Sequence, residues 1–195
     1  MKLADVLRPG LILNMSTRTL MGRLIRSALR RGWDGRQKDI PNHDAMIVEY
    51  GGKLWVGESK PMRASLTEIS EYERRLDVGK IYNLRVLAVA NATREQERGA
   101  ADWWMSYVMG KPYDFMAFPR LLWKANVGDW CDAAAGWEWA WYCTEGDRDS
   151  YRHGAGLYPW GKRNPTPLTT FKRTLGRKFI TLASFNESLT RKGAA

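Results

Sequence analysis

The pair Gly51-Gly52, set between the β-prone runs Asp44 to Tyr50 and Lys53 to Glu58, constrains this chain more than any other local feature. Adjacent glycines accept the positive φ angles of a two-residue hairpin turn, so the two runs are expected to pair as antiparallel strands. In such a hairpin the numbers of facing residues sum to 103: Tyr50 opposes Lys53, Ile47 opposes Val56 and Ala45 opposes Glu58. Side chains alternate along a strand, so His43, Ala45 and Ile47 share a face with Glu58, and His43 and Glu58 become diagonal neighbours with ~7 Å between β-carbons. A glutamate spans that gap. It can hold one imidazole nitrogen, fix the tautomer and stabilise the imidazolium, as the third member of a catalytic triad does. A three-residue turn would instead shift the pairing and send Glu58 to the opposite face.

A His-Glu pair needs a nucleophile, and Cys143 is the leading candidate. Thr144-Glu145-Gly146-Asp147 follows it and matches the S/T-x-x-D/E pattern of a helix start, which places Cys143 at a helix N-terminus. There the helix dipole and a nearby imidazolium both favour the thiolate, the attacking species. Cys131 as nucleophile and His153 as base are the alternatives within the chain. Cys131 precedes Asp132 and a run of small residues without a strong cap, and no carboxylate is positioned to orient His153.

Elsewhere, Leu11 to Leu13 suits a short strand. Ser16 and Thr17 offer caps for a helix whose apolar face carries Leu20, Leu24 and Ala28 with Met21, Ile25 and Leu29. Its other face carries Arg18, Arg23, Arg26, Arg30 and Arg31, a basic stripe read first as a solvated surface and second as a contact for membrane or phosphate. Tyr82 to Val89 alternates like a strand. Thr93 to Met109 reads as a helix opened by the capping box of Thr93 and Gln96 and ended by Gly110. Trp123 to Trp141 holds five of the ten tryptophans; Trp137, Trp139 and Trp141 are read as core filling beneath the cysteine helix. Pro159, Pro165 and Pro167 punctuate a loop before a last strand from Phe179 to Leu182, and a polar tail occupies 186–195. Without an internal repeat or a dividing linker, the expected organisation is one α+β domain over 1–195 with its core at about 5–183.

Composition narrows the function classes. Two cysteines are too few for a disulfide framework or a thiolate zinc site, so no metal or other cofactor is expected. No run approaches the ~18 apolar residues of a membrane span, and the N-terminus lacks the apolar core of a signal peptide. A soluble protein, cytoplasmic or carried in a virion, is the corresponding expectation. The net charge of +10 implies attraction to something anionic, with Arg23, Arg26 and Arg30 the candidate contacts for membrane, cell wall or nucleic acid.

The order of the motifs resembles the permuted NlpC-type, papain-like cysteine hydrolases, particularly their YiiX-like branch, in which the histidine strand precedes the cysteine helix. Leu7-Arg8-Pro9-Gly10-Leu11-Ile12 is similar to that family's opening L-x-P-G-D-I strand, and Asn42-His43-Asp44-Ala45-Met46-Ile47 to its histidine strand. Val56-Gly57-Glu58-Ser59 resembles the strand with the acidic residue, Gly110-Lys111-Pro112-Tyr113-Asp114-Phe115 the G-K-P-Y-D-F signature, and Tyr142-Cys143-Thr144-Glu145 the Y-C-S-E motif. Pro165 to Leu168 is similar to the segment before the last strand. Leu11 stands where the family has Asp, and Gly146-Asp147 where it has an apolar pair, which predicts a short or irregular cysteine helix. Carried over, the resemblance implies a papain-like antiparallel sheet packed on that helix, with Cys143 as nucleophile, His43 as base and Glu58 as orienting acid. Tyr113 and Asp114 are read as architectural.

Together these features predict a cysteine hydrolase that cleaves an amide bond through a thioester acyl-enzyme, in a cell-wall peptide first and a lipid ester or thioester second. The competing expectation is an inactive papain-like module, possible in a phage virion, that holds nucleic acid or an anionic membrane through its basic surface.

Overall fold

The computed structural model describes residues 2–30, 40–113, 143–161, 166–175 and 177–185. Cys131, Asp114, Trp137, Trp139, Trp141 and the tail from Asn186 lie outside the described residues. Six strands form one antiparallel sheet: β1 (Ile12–Thr17), β2 (His43–Tyr50), β3 (Lys53–Ser59), β4 (Ala64–Glu68), β5 (Ile81–Val89) and β6 (Phe179–Phe185), in the order β4-β3-β2-β1-β5-β6. The helices are α1 (Leu20–Leu29), α2 (Ile69–Asp77), α3 (Arg94–Trp103), α4 (Cys143–Asp149) and α5 (Pro167–Leu175). Wider π-helical turns extend α3 through Trp104–Val108 and α4 through Ser150–Gly154. The architecture is α+β, as expected.

Alternation along the strands divides the core into two layers. Leu13, Met15, Ala45, Ile47, Val56, Leu84 and Val86 pack on one face with Tyr72 of α2 and Leu3. Ile12, Met46, Val48, Leu87 and Val89 pack on the other with Ala100, Ala101, Trp104, Val108, Tyr151 and Trp160. Both faces are covered, so neighbouring residues of one strand serve different layers. The β2-β3 hairpin turns at Gly51 (φ 59°) and Gly52 (φ 71°), and its register pairs Tyr50 with Lys53 and Ile47 with Val56, as a two-residue turn requires.

The structure corrects several local readings. Thr17 ends β1, and the cap of α1 is Thr19, whose hydroxyl accepts from the Gly22 amide at 3.0 Å. Met21, Ile25 and Leu29 pack inward against Ile40 and Leu168, whereas Leu20 (69% exposed) and Leu24 (42%) face outward, because α1 covers the sheet end with one narrow side. Arg26 is not on an exposed basic stripe. It is 7% exposed, donates to the Thr17 carbonyl at 2.6 Å and lies over the Tyr82 ring, while Arg23 and Arg30 remain exposed. The segment with Pro167 is a helix, not a loop: proline lacks only an N–H that a first helical position leaves unused. The capping box of Thr93 and Gln96 is formed in both directions.

Candidate active site

His43 opens β2 and Glu58 sits near the end of β3, and the hairpin register brings them together: His43 Nε2 and Glu58 Oε2 are 3.0 Å apart. Glu58 is buried, and other groups also engage it. Tyr72 Oη donates to Oε2 at 2.8 Å, Thr67 Oγ1 donates to Oε1 at 2.6 Å, and Lys60 Nζ lies 3.3 Å from Oε1. Lys60 also donates to Thr67 Oγ1 at 2.6 Å, so the cation and the hydroxyl act on the carboxylate in series. Burial alone would raise this carboxyl; the hydrogen bonds from His43 and Thr67 and the charges of His43 and Lys60 outweigh it and hold Glu58 well below the usual carboxylate range. Tyr72 is pushed well above the ordinary phenol by burial and by the neighbouring Glu58 charge, so it stays a donor.

Cys143 is the first described residue of α4, buried against Tyr113. Its side chain is a hydrogen-bond partner of His43. With Nε2 engaged by Glu58, Nδ1 is the nitrogen left for the thiol. Burial would lower His43, but the hydrogen bonds to Cys143 and Glu58 and the charges on both raise it to about 10. An imidazole in this setting is protonated across the neutral range.

The next residue of each element fixes their separation. Asp44 follows His43 and so turns to the other face of β2, where its Oδ2 accepts from Thr144 Oγ1 at 2.9 Å and from Thr170 Oγ1 of α5 at 2.7 Å. Its Oδ1 accepts from Asn14 of β1 at 2.6 Å. One carboxyl therefore ties β1, β2, α4 and α5 within one residue of both His43 and Cys143. Burial raises Asp44 despite these donors. Thr144, expected as a helix cap, lies inside α4 and spends its hydroxyl on this anchor instead.

Gly146 stands where α4 approaches the π-helical turn after α3: a β-carbon there would lie 3.2 Å from Val108 Cγ1. A larger residue here would need Val108 to shift by a few tenths of an ångström, and the helix that Cys143 opens runs for seven residues before it widens. Asp147, one turn beyond Cys143, is 1% exposed with neither carboxyl oxygen hydrogen-bonded. Burial first, and then the charges of Asp44 and Cys143, push it well above the usual range.

The structure thus brings together His43, Glu58 and Cys143. His153, the alternative base, stands exposed and stacked on Trp103 with ring centroids 5.3 Å apart, and Cys131 lies outside the described residues. Sequence reasoning missed Asp44, Tyr72 and Thr67. Asp44 was legible from the alternation that placed His43, since the residue after it must face the opposite layer; Tyr72 and Thr67 belong to α2 and β4 respectively, whose packing beside Glu58 no local signal announced.

A cavity of about 310 Å³ opens beside this cluster, lined by His43, Glu58 and Tyr113 and by residues of β1, α1, α2 and the start of β5.

Known family profiles and curated proteins give no match to this sequence. Among solved structures, that of metalloprotein yiiX from Escherichia coli O157:H7 is similar, with a TM-score of 0.59 and 18% identity over 91% of this chain and 97% of that one. At that identity the likeness is one of architecture: this chain has the α+β fold of yiiX.

Proposed function

We propose that this protein is a cysteine-dependent hydrolase of the permuted papain-like type, with Cys143 as nucleophile, His43 as acid-base and Glu58 as the group that orients and charges His43. The observation that carries this reading is the imidazole of His43 held between the Glu58 carboxylate at 3.0 Å and the Cys143 thiol. Cys143 Sγ adds to the carbonyl carbon of the substrate. The imidazolium gives its proton to the departing amine, alcohol or thiol as the carbonyl carbon's bond to it breaks. His43, now neutral, takes a proton from water; the hydroxide formed attacks the thioester, and the acid leaves as the thiol is restored. The amide of a cell-wall peptide or a lipid ester or thioester suits this sequence of steps.

The yiiX structure is described as that of a metalloprotein. Here, among the described residues, no group of three or more His, Cys, Asp or Glu is arranged to hold a metal ion. Glu58 has both oxygens committed to protein donors, and Asp44 accepts three hydrogen bonds. These residues do not fit a bound metal.

Labelling by a thiol-directed acylating probe tests the assignment. Cys143→Ala should lose the label and reduce turnover by about 10³-fold or more while keeping the wild-type circular dichroism. Equal labelling of the variant and the wild type would end it. Contact with an anionic membrane is a separate reading, favoured by the outward Leu20 and Leu24 beside Arg23 on α1. Binding to anionic vesicles should weaken with salt and in Arg23→Gln with Arg30→Gln; binding indifferent to both would reject it.

A further inference from the structure

We infer that Tyr72 is a positioning residue of this site: its hydroxyl pins the Glu58 oxygen that faces His43 and keeps the carboxylate from turning to Lys60 and Arg75. The part played by His43 rests on the hydrolase reading; the hold on Glu58 does not.

The two oxygens of Glu58 keep different company. Oε2 meets His43 Nε2 at 3.0 Å and accepts from Tyr72 Oη at 2.8 Å. Oε1 accepts from Thr67 Oγ1 at 2.6 Å and has Lys60 Nζ at 3.3 Å and Arg75 Nη1 at 3.5 Å. Among the described residues, the near oxygen thus has one neutral donor besides the imidazole, and both the lysine and the arginine stand on the far one. A cation on the near oxygen would repel the imidazolium and lower His43, whereas a phenol fixes that oxygen without adding charge. Burial and the charge of Glu58 keep the phenol protonated.

The carboxylate needs such a hold. The terminal torsion of a glutamate is broad, so its hydrogen bonds set the plane of its oxygens. Lys60 and Arg75 attract it from the far side, and their long side chains, 35% and 27% exposed, can follow a carboxylate that swings. Arg75 also donates from Nε to Glu71 at 2.9 Å and lies over the Tyr72 ring, 5.3 Å from its centroid, so the cation that draws Glu58 away rests on the residue that keeps it. Tyr72 is 0% exposed and packs from α2 into the core with Leu3, Leu13 and Met15. Its ring therefore presents the hydroxyl at one fixed place, which neither cation does.

His43 reports whether the hold is made. Cys143 and Asp147 of α4 and Asp44 of its own strand also act on the imidazole, by hydrogen bond or by charge, and they stay the same when Tyr72, Thr67 or Arg75 is changed. With Oε2 held, the attraction of Glu58 contributes to a His43 that titrates at about 10. With Oε2 released toward Arg75 that attraction weakens, and His43 titrates lower.

Two measurements on the full chain test this. The first is the pH titration of the His43 ring by NMR; the chain has two histidines, and His153→Gln identifies the signal. Tyr72→Phe keeps the ring and removes the hydroxyl. Its midpoint should fall by about one unit or more, and adding Arg75→Gln should bring back at least about half of that fall. Thr67→Val removes a donor from the far oxygen and should lower the midpoint by less than about half a unit. The second is hydrolysis of phenyl acetate, for which Tyr72→Phe should lower kcat about tenfold at an unchanged KM. A Tyr72→Phe midpoint at the wild-type value overturns the positioning role, whatever happens to stability. So does a fall that Arg75→Gln does not reverse, a kcat unchanged beside a fallen midpoint, or a fall of about half a unit or more in Thr67→Val. If Tyr72→Phe does not fold, Thr67→Val decides. If the wild type turns over phenyl acetate no faster than Cys143→Ala, the hydrolase reading fails by itself, and the titration still upholds or overturns the hold of Tyr72 on Glu58.

Discussion

The two faces of β2 treat buried carboxyls in opposite ways. On the face of His43, Glu58 has hydrogen-bond donors on both oxygens and is kept ionised against its burial. On the face of Asp44, burial prevails: Asp44 is raised in spite of three donors, and Asp147, with no hydrogen bond, is raised further. The difference lies in cations and their placement. Lys60 and His43 meet Glu58 directly, whereas His43 reaches Asp44 and Asp147 only through its charge, the hydrogen bonds to Asp44 come from neutral hydroxyls and an amide, and the two aspartates repel each other. A charge is useful on the first face because it holds an imidazolium. On the second face a carboxyl whose oxygens accept from three neutral donors, and which burial raises, anchors the cysteine helix.

The largest effect should come from removing the charge on the first face. Glu58→Gln keeps the shape but takes away an attraction that raises His43, so kcat/KM should fall by roughly 10²- to 10⁴-fold. The pH profile carries the distinguishing sign. In the wild type the imidazolium that protonates the leaving group persists until the pH approaches about 10, so turnover declines only there. In Glu58→Gln that alkaline limb moves down toward the ordinary histidine value of ~6.5. A limb that stays in place would show that Cys143 alone sets the imidazole. The same shift has a stability counterpart: a raised histidine contributes fully below ~6.5, and the contribution fades as pH passes through about 10.

The second effect should be on stability and on the position of α4. Asp44→Ala removes the acceptor shared by Asn14, Thr144 and Thr170 and leaves their donors buried, at an expected loss of about 3 kcal/mol in denaturant unfolding. Thr144→Val removes one of the three and should lose about 1 kcal/mol. Because Thr144 adjoins Cys143, Thr144→Val should also slow thiol labelling while the pH at which labelling begins stays the same. Unchanged labelling in a folded Thr144→Val protein would mean that the tie does not position the thiol.

What the sequence revealed follows from range of interaction. The β2-β3 hairpin was legible because Gly51-Gly52 sets the turn and alternation sets the faces, and from these two facts His43 and Glu58 came out as neighbours. The start of α3 was legible for the same reason, since Thr93 and Gln96 satisfy each other within four residues. Less was readable where tertiary packing chose among local options. Leu20 and Leu24 match a helical apolar face, yet they point outward, while Met21, Ile25 and Leu29 pack against Ile40 and Leu168. Arg26 looked like its exposed neighbours until the Thr17 carbonyl and the Tyr82 ring took it in. Asp147 was visible only as a departure from an apolar pattern, and its burial depends on contacts distant in sequence.

Asp147 yields the smallest effect and isolates the second face. The ordinary aspartate pKa is ~3.9, and in the folded protein burial holds this carboxyl well above that. Between the two values the unfolded chain binds fewer protons than the folded one, so the group's contribution to stability falls as pH rises. Asp147→Leu replaces a carboxyl without hydrogen bonds by an apolar side chain and should stabilise the protein by about 1–2 kcal/mol at pH 7, with a smaller gain at pH 4. Asp147→Asn keeps the shape and should remove the pH-dependent part while leaving polar atoms buried. Denaturant unfolding of the three proteins at the two pH values checks the sign. If Asp147→Leu were less stable than the wild type at pH 7, the carboxyl would be an anchor like Asp44, and the two faces of β2 would differ less than their hydrogen bonds indicate.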